Sequence, residues 1–69
     1  MKESQEMQVL KHIQDHGKIT ALDAFREYSI LRLSGRIHDL RHRGYEIETN
    51  MVSRNGKHYA EYTLKGAEQ

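Results

Sequence analysis

At Gly44 the hydrophobic rhythm of this 69-residue chain changes, and the change restricts what the chain can fold into. Before it, apolar residues recur every three or four positions, the period of a helix; after it they alternate, the period of a strand. Tyr45, Ile47, Thr49 and Met51 alternate with Glu46, Glu48, Asn50 and Val52, and His58-Tyr59-Ala60-Glu61-Tyr62-Thr63-Leu64 is a second strand-like run. Between them lies Arg54-Asn55-Gly56-Lys57, whose Asn-Gly step is the strongest short-range signal for a hairpin. A two-residue turn there pairs Arg54 with Lys57, Val52 with Tyr59, Met51 with Ala60, Thr49 with Tyr62 and Ile47 with Leu64. That register puts Ile47, Leu64, Thr49, Tyr62, Met51 and Ala60 on one face, which is expected to cover the helices.

The helical part divides into three. Ser4 precedes Met7, Leu10 and Ile13 on one face, and Gly17 follows as a left-handed stop, so the first helix is expected over 5–16. Val9 is one apolar residue beyond that stripe and is the candidate contact for a homodimer. Lys18-Ile19-Thr20 reads as a brief strand, and Thr20 with Asp23 resembles a capping box opening a short second helix over 21–27, with Leu22, Ala24, Phe25 and Tyr28 as its buried stripe. Ser29 is the expected cap of a third helix over 30–43. There Ile30, Leu33, Ile37 and Leu40 lie within about 80° of one another around the axis and point to the core. The opposite face then holds Arg32, Gly35, His38, Asp39, His42 and Arg43, with Ser34 and Arg36 on the flanks, and Gly44 ends the helix.

Size and composition narrow the function classes. A chain of 8.1 kDa has room for one small domain, expected over 1–69 with its core at about 5–64, and offers little space for an enzyme cavity. With no cysteine, disulfides and thiolate metal sites are excluded and packing must supply the stability. No apolar run approaches the roughly 18 residues of a bilayer span, and Met1-Lys2-Glu3-Ser4-Gln5-Glu6 lacks the apolar core of a signal peptide, so no membrane partner and a cytoplasmic or nucleoid location are expected. The net charge of +1 is uneven. Residues 1–25 carry Lys2, Lys11 and Lys18 against Glu3, Glu6, Asp15 and Asp23, a balance of -1, whereas residues 26–43 carry five arginines against Glu27 and Asp39, a balance of +3. Arg54 and Lys57 form a second basic island, a pattern that suits a directed anion-binding face.

The stretch from Ser29 to Ile47 resembles the signature of a family of small helix-turn-helix domains encoded by tailed phages and prophages. The likeness is carried by Arg32-Leu33, by Arg36-Ile37-His38-Asp39-Leu40-Arg41, by Arg43-Gly44-Tyr45 and Ile47, and by Tyr62-Thr63-Leu64 at the end of the hairpin. It spans about residues 7–64, with one departure at Leu31, where the family tends to carry a small hydroxyl residue. The resemblance implies an α+β winged helix-turn-helix: three helices, a short strand after the first, and a C-terminal β-hairpin wing. It also implies double-stranded DNA as the partner.

The residues support that expectation independently. A DNA major groove admits one helix, whose exposed side chains meet base edges while arginines reach guanine or phosphate. Arg32 and Arg36 stand one turn apart, Ser34 and Gly35 keep the surface low, His38 and Asp39 are placed to contact a base or orient an arginine, and Arg43 adds charge at the far end. The turn sets Arg54, Asn55 and Lys57 toward the neighbouring backbone or minor groove. Other chemistries fare worse. His12/His16 and His38/His42 have the i, i+4 spacing of metal ligands but no third ligand, and neither a phosphate loop nor a nucleophile with a base is present. No catalytic residue, metal or cofactor is therefore expected. The competing reading is a winged helix that docks on a host or phage enzyme, with Leu31, Val52 and Tyr59 as an apolar patch and Arg32 and Arg36 facing acidic residues of the partner.

Overall fold

A computed structural model describes residues 4–65, so the ends of the expected 1–69 domain, Met1 to Glu3 and residues 66–69, lie outside the described residues. The elements run α1 (Gln5–His16), β1 (Ile19–Thr20), α2 (Ala21–Tyr28), α3 (Leu33–His42), β2 (Ile47–Arg54) and β3 (Lys57–Leu64), and the three strands form an antiparallel sheet in the order β1-β3-β2. This is the three-helix, α+β arrangement that the resemblance implies. Among the described residues no helix is long and apolar enough to cross a membrane.

Local chemistry sets most of the boundaries. The Ser4 hydroxyl accepts the Met7 N–H at 3.3 Å to open α1. In α2 the capping box closes both ways: the Thr20 hydroxyl accepts the Asp23 N–H and the Asp23 carboxylate accepts the Thr20 N–H, each at 3.2 Å. The hairpin adopts the expected register from Ile47↔Leu64 to Arg54↔Lys57. Asn55 and Gly56 at φ 53° and 77° give the positive angles of a type I′ turn, which matches the right-handed twist of the strands.

The third helix departs from expectation at its start. Ser29 does not cap it; Ser29 ends α2 instead, in the left-handed region at φ 58°, with its N–H donated to the Phe25 carbonyl at 2.9 Å. The chain then needs Ile30 to Arg32 as a turn, so α3 begins at Leu33, with Arg32 as its first flanking residue and no side chain capping it. At the other end Gly44, at φ 104°, lets the Tyr45 N–H reach back to the Leu40 carbonyl at 3.1 Å while its own N–H bonds the Arg41 carbonyl at 3.0 Å. These two bonds form the Schellman closure that a left-handed residue permits.

The core is one cluster in which Val9, Leu10 and Ile13 of α1 and Ala24 of α2 meet Ile19, Ile30, Leu33, Ile37, Leu40 and Ile47. Val9 is fully buried while Met7 is 37% exposed, so the apolar face of α1 is rotated from the expected stripe and Val9 is not available as a dimer contact. Leu22 and Phe25, expected inside, lie exposed on α2, where Ala24 and the packed Tyr28 make the contact instead. Met51, expected to cover the helices, is 69% exposed, because the outer end of the hairpin runs past the buried core; Tyr62 and Leu64 at the inner end do pack on the core. Tyr45, ahead of β2, is exposed. A polar link joins the first two helices: Nδ1 of the buried His12 and the Tyr28 hydroxyl share a hydrogen bond of 2.8 Å.

The burial pattern of α1 gives a direct test. Val9→Ala removes two methyl groups from a site without solvent access and should destabilise the fold by about 2 kcal/mol, whereas Met7→Ala should change stability by no more than about 0.5 kcal/mol. Urea denaturation of the two variants measures the difference.

Candidate nucleic-acid interface

The rotation of α3 is set by its apolar residues. Leu33, Ile37 and Leu40 are buried, with Ile30 just ahead of them, so the side chains between them emerge on the far side. Arg32, Ser34, His38 and His42 are exposed there, and Gly35, Arg36 and Asp39 are half-buried. The His38 and His42 rings meet edge to face with centroids 4.5 Å apart. Among the described residues no group of three or more possible ligands forms a metal site.

The cations on and beside α3 fall into two sets. Several are engaged within the protein. Arg41 donates from Nε and Nη2 to the Ile47 carbonyl at 3.1 and 2.7 Å and from Nη2 to the Thr49 hydroxyl at 3.0 Å, tying the last turn of α3 to the start of β2. Arg43 pairs with Glu6 of α1, and this ion pair holds the C-terminal end of α3 against the first helix. Arg36 pairs with Asp39 at 3.2 Å, one turn along, while its Nε is covered and has no partner among the described residues. Asp39 is therefore placed to orient an arginine, one of the two roles its sequence position allows. By contrast Arg32, Arg54 and Lys57 have no acidic partner among the described residues, and Arg54 and Lys57 stand directly opposite each other across the hairpin.

Gly35 lies within α3, and a Cβ built on it would meet nothing within 4 Å. Close internal packing is thus not the reason for a glycine there. It leaves a shallow place on the exposed face between Arg32 and Arg36.

Sequence reasoning located the residues of this face but missed how they are tethered. Arg41 sits in the same arginine-rich run as its neighbours, and nothing local distinguishes a residue that turns back to a backbone carbonyl from one that points outward. The Glu6–Arg43 pair joins residues far apart in sequence. The one local signal was the i, i+3 spacing of Arg36 and Asp39, which places opposite charges on adjacent turns.

Comparison with known proteins agrees with this geometry. A family model described as a winged helix-turn-helix domain matches residues 4–67, nearly the whole chain, and domains of this kind are typically DNA-binding modules without catalytic activity. No curated protein and no solved structure matches the chain. The matched span includes all three helices and the full hairpin, and the chain belongs to the winged helix-turn-helix domain family.

Proposed function

We propose that the chain, acting as one domain, binds double-stranded DNA as a regulatory or accessory protein of phage or prophage type, with α3 in the major groove and the hairpin wing on the adjacent backbone. The observation that carries this reading is the pairing of two cationic surfaces: the exposed side of α3, with Arg32 open and Arg36 steadied by Asp39, and the wing tip, with Arg54 and Lys57 unneutralised. Ser34, Gly35, His38 and Asp39 supply the low, polar surface between the arginines, and Asn55 lies at the turn itself. The uncapped N-terminal turn of α3 adds free N–H groups and the positive end of its dipole, both favourable beside a phosphate. Arg43, held by Glu6, serves this surface by fixing the helix end. The phage assignment rests on the resemblance of the Arg36 to Arg41 run, and places the protein in the host cytoplasm or nucleoid.

A second reading, docking on a host or phage enzyme, is favoured by Leu31, which is 81% exposed in the turn before α3. Of the other two residues of that patch, Val52 and Tyr59 face each other across the hairpin and are half-buried, so they offer less apolar surface than the sequence suggested. Salt separates the two readings. Duplex affinity falls steeply and linearly in log-log form with salt, whereas a protein interface responds far less.

Substitutions at three places test the DNA reading. Replacing Arg32 or Arg36 with alanine should weaken duplex binding by about 1 to 3 kcal/mol each and relax base preference at one position, as measured by selection from random duplexes; unchanged binding in the double variant contradicts the reading. Gly35→Ala should stabilise the fold by up to about 1 kcal/mol, since nothing obstructs the added methyl, and should weaken binding if the duplex approaches α3 closely. Thermal melts and anisotropy titrations read the two effects separately. Changing Arg54 and Lys57 together to alanine should leave folding unchanged, weaken all duplexes about equally and reduce the salt slope by up to about two units. An intact slope would remove the wing from the interface.

A further inference from the structure

A groove of about 580 Å³ lies away from α3, lined on one side by Lys18, Thr20 and the first turn of α2 and on the other by hairpin residues between 54 and 61. Its backbone edge is open. β1 pairs only with Tyr62 and Glu61, so β3 from Lys57 to Ala60 has β2 on one side and no strand on the other among the described residues. In a type I′ hairpin the residues flanking the turn form the hydrogen-bonded pair and the ladder alternates from there, so the backbone of Lys57 and Tyr59 faces β2 while that of His58 faces the open edge.

The charges in the groove are unbalanced. Its two acids are already engaged: Glu61 pairs with Lys18 at 3.5 Å, and the Asp23 carboxylate accepts the Thr20 N–H. Arg54, Lys57 and His58 have no acidic partner among the described residues. An apolar foothold stands beside them, since Leu22 lines the groove while 61% exposed, and the exposed Phe25 follows one turn along α2.

We propose that this groove receives an extended acidic segment of a partner protein, which adds as a strand to the free edge of β3, sets carboxylates on the face of Arg54 and Lys57, and turns its alternate apolar side chains to the other face, toward Leu22. A second copy of the chain fits poorly, because β3 against β3 brings together two wing tips that each carry Arg54 and Lys57. A duplex would use the cations but has no use for a strand edge or an exposed leucine. Strand addition here is independent of the reading of α3. Arg54 and Lys57 are shared, however, so an occupant would withdraw the wing from DNA and act as a competitor.

The test uses the full chain, labelled with nitrogen-15, and an acetylated, amidated heptapeptide of alternating glutamate and valine. Saturable amide shifts are expected at His58 to Ala60 and at Thr20 to Leu22, with slowed exchange of the His58 amide. Leu22→Asp, at an exposed site, should weaken binding about tenfold or more while leaving the remaining spectrum in place. Methylating every backbone nitrogen of the peptide keeps its charge and should abolish binding. Equal binding by the methylated peptide would reduce the effect to charge attraction and overturn the proposal, as would an absence of shifts. Stronger shifts of the same amides with a duplex of about 15 base pairs than with the peptide would assign the groove to nucleic acid and also overturn it. Each of these results leaves the Arg32 and Arg36 test of α3 untouched.

Discussion

The setting of α3 about its own axis is the constraint on which the rest of the structure depends. Leu33, Ile37 and Leu40 are all buried, with Ile30 buried in the turn just before them, and a helix with one buried stripe has no choice about its other side. Turning it by one residue, about 100°, would bury Arg36 or His38 unpaired and expose Ile37, each unfavourable by more than a surface contact returns. The direction in which Arg32, Ser34, Arg36, His38 and Asp39 emerge is therefore fixed by packing, and the Arg36–Asp39 ion pair only orients side chains within it.

Two tethers convert that rotation into a position. The Arg41 guanidinium reaches the Ile47 carbonyl and the Thr49 hydroxyl, so the last turn of α3 and the first residues of β2 move together. The Schellman closure at Gly44 sets the direction in which the chain leaves the helix. The wing is thereby fixed relative to α3 at its root, while its outer end runs past the buried core, with Arg54 and Lys57 beside the turn and across a groove from the first turn of α2.

The hairpin was legible in the sequence almost residue for residue, because an Asn-Gly step between alternating runs leaves one turn type and hence one register. The core side of α3 was equally plain, since four apolar residues at helical spacing admit one face. Faces with fewer apolar residues were ambiguous. In α1, Met7 and Val9 compete for the same stripe, and only contact with the rest of the core selects Val9. In α2, Leu22 and Phe25 have a helical period yet remain exposed, because a domain this small lacks the second layer that would cover them. Ser29 offered a cap chemically suited to α3, but its left-handed backbone is consumed in ending α2. At the candidate interface the residues were visible and the pairings were not, because Glu6–Arg43 and Arg41–Ile47 depend on which elements meet in space.

Amide-shift mapping of the labelled chain against a short duplex of arbitrary sequence, repeated at rising salt, tests most directly whether α3 and the wing form one DNA-facing surface. The account predicts shifts confined to Arg32 through Asp39 and to Arg54 through Lys57, growing together through the titration and fading together as salt rises. Shifts centred on α1, or shifts in one of the two segments without the other, would contradict it.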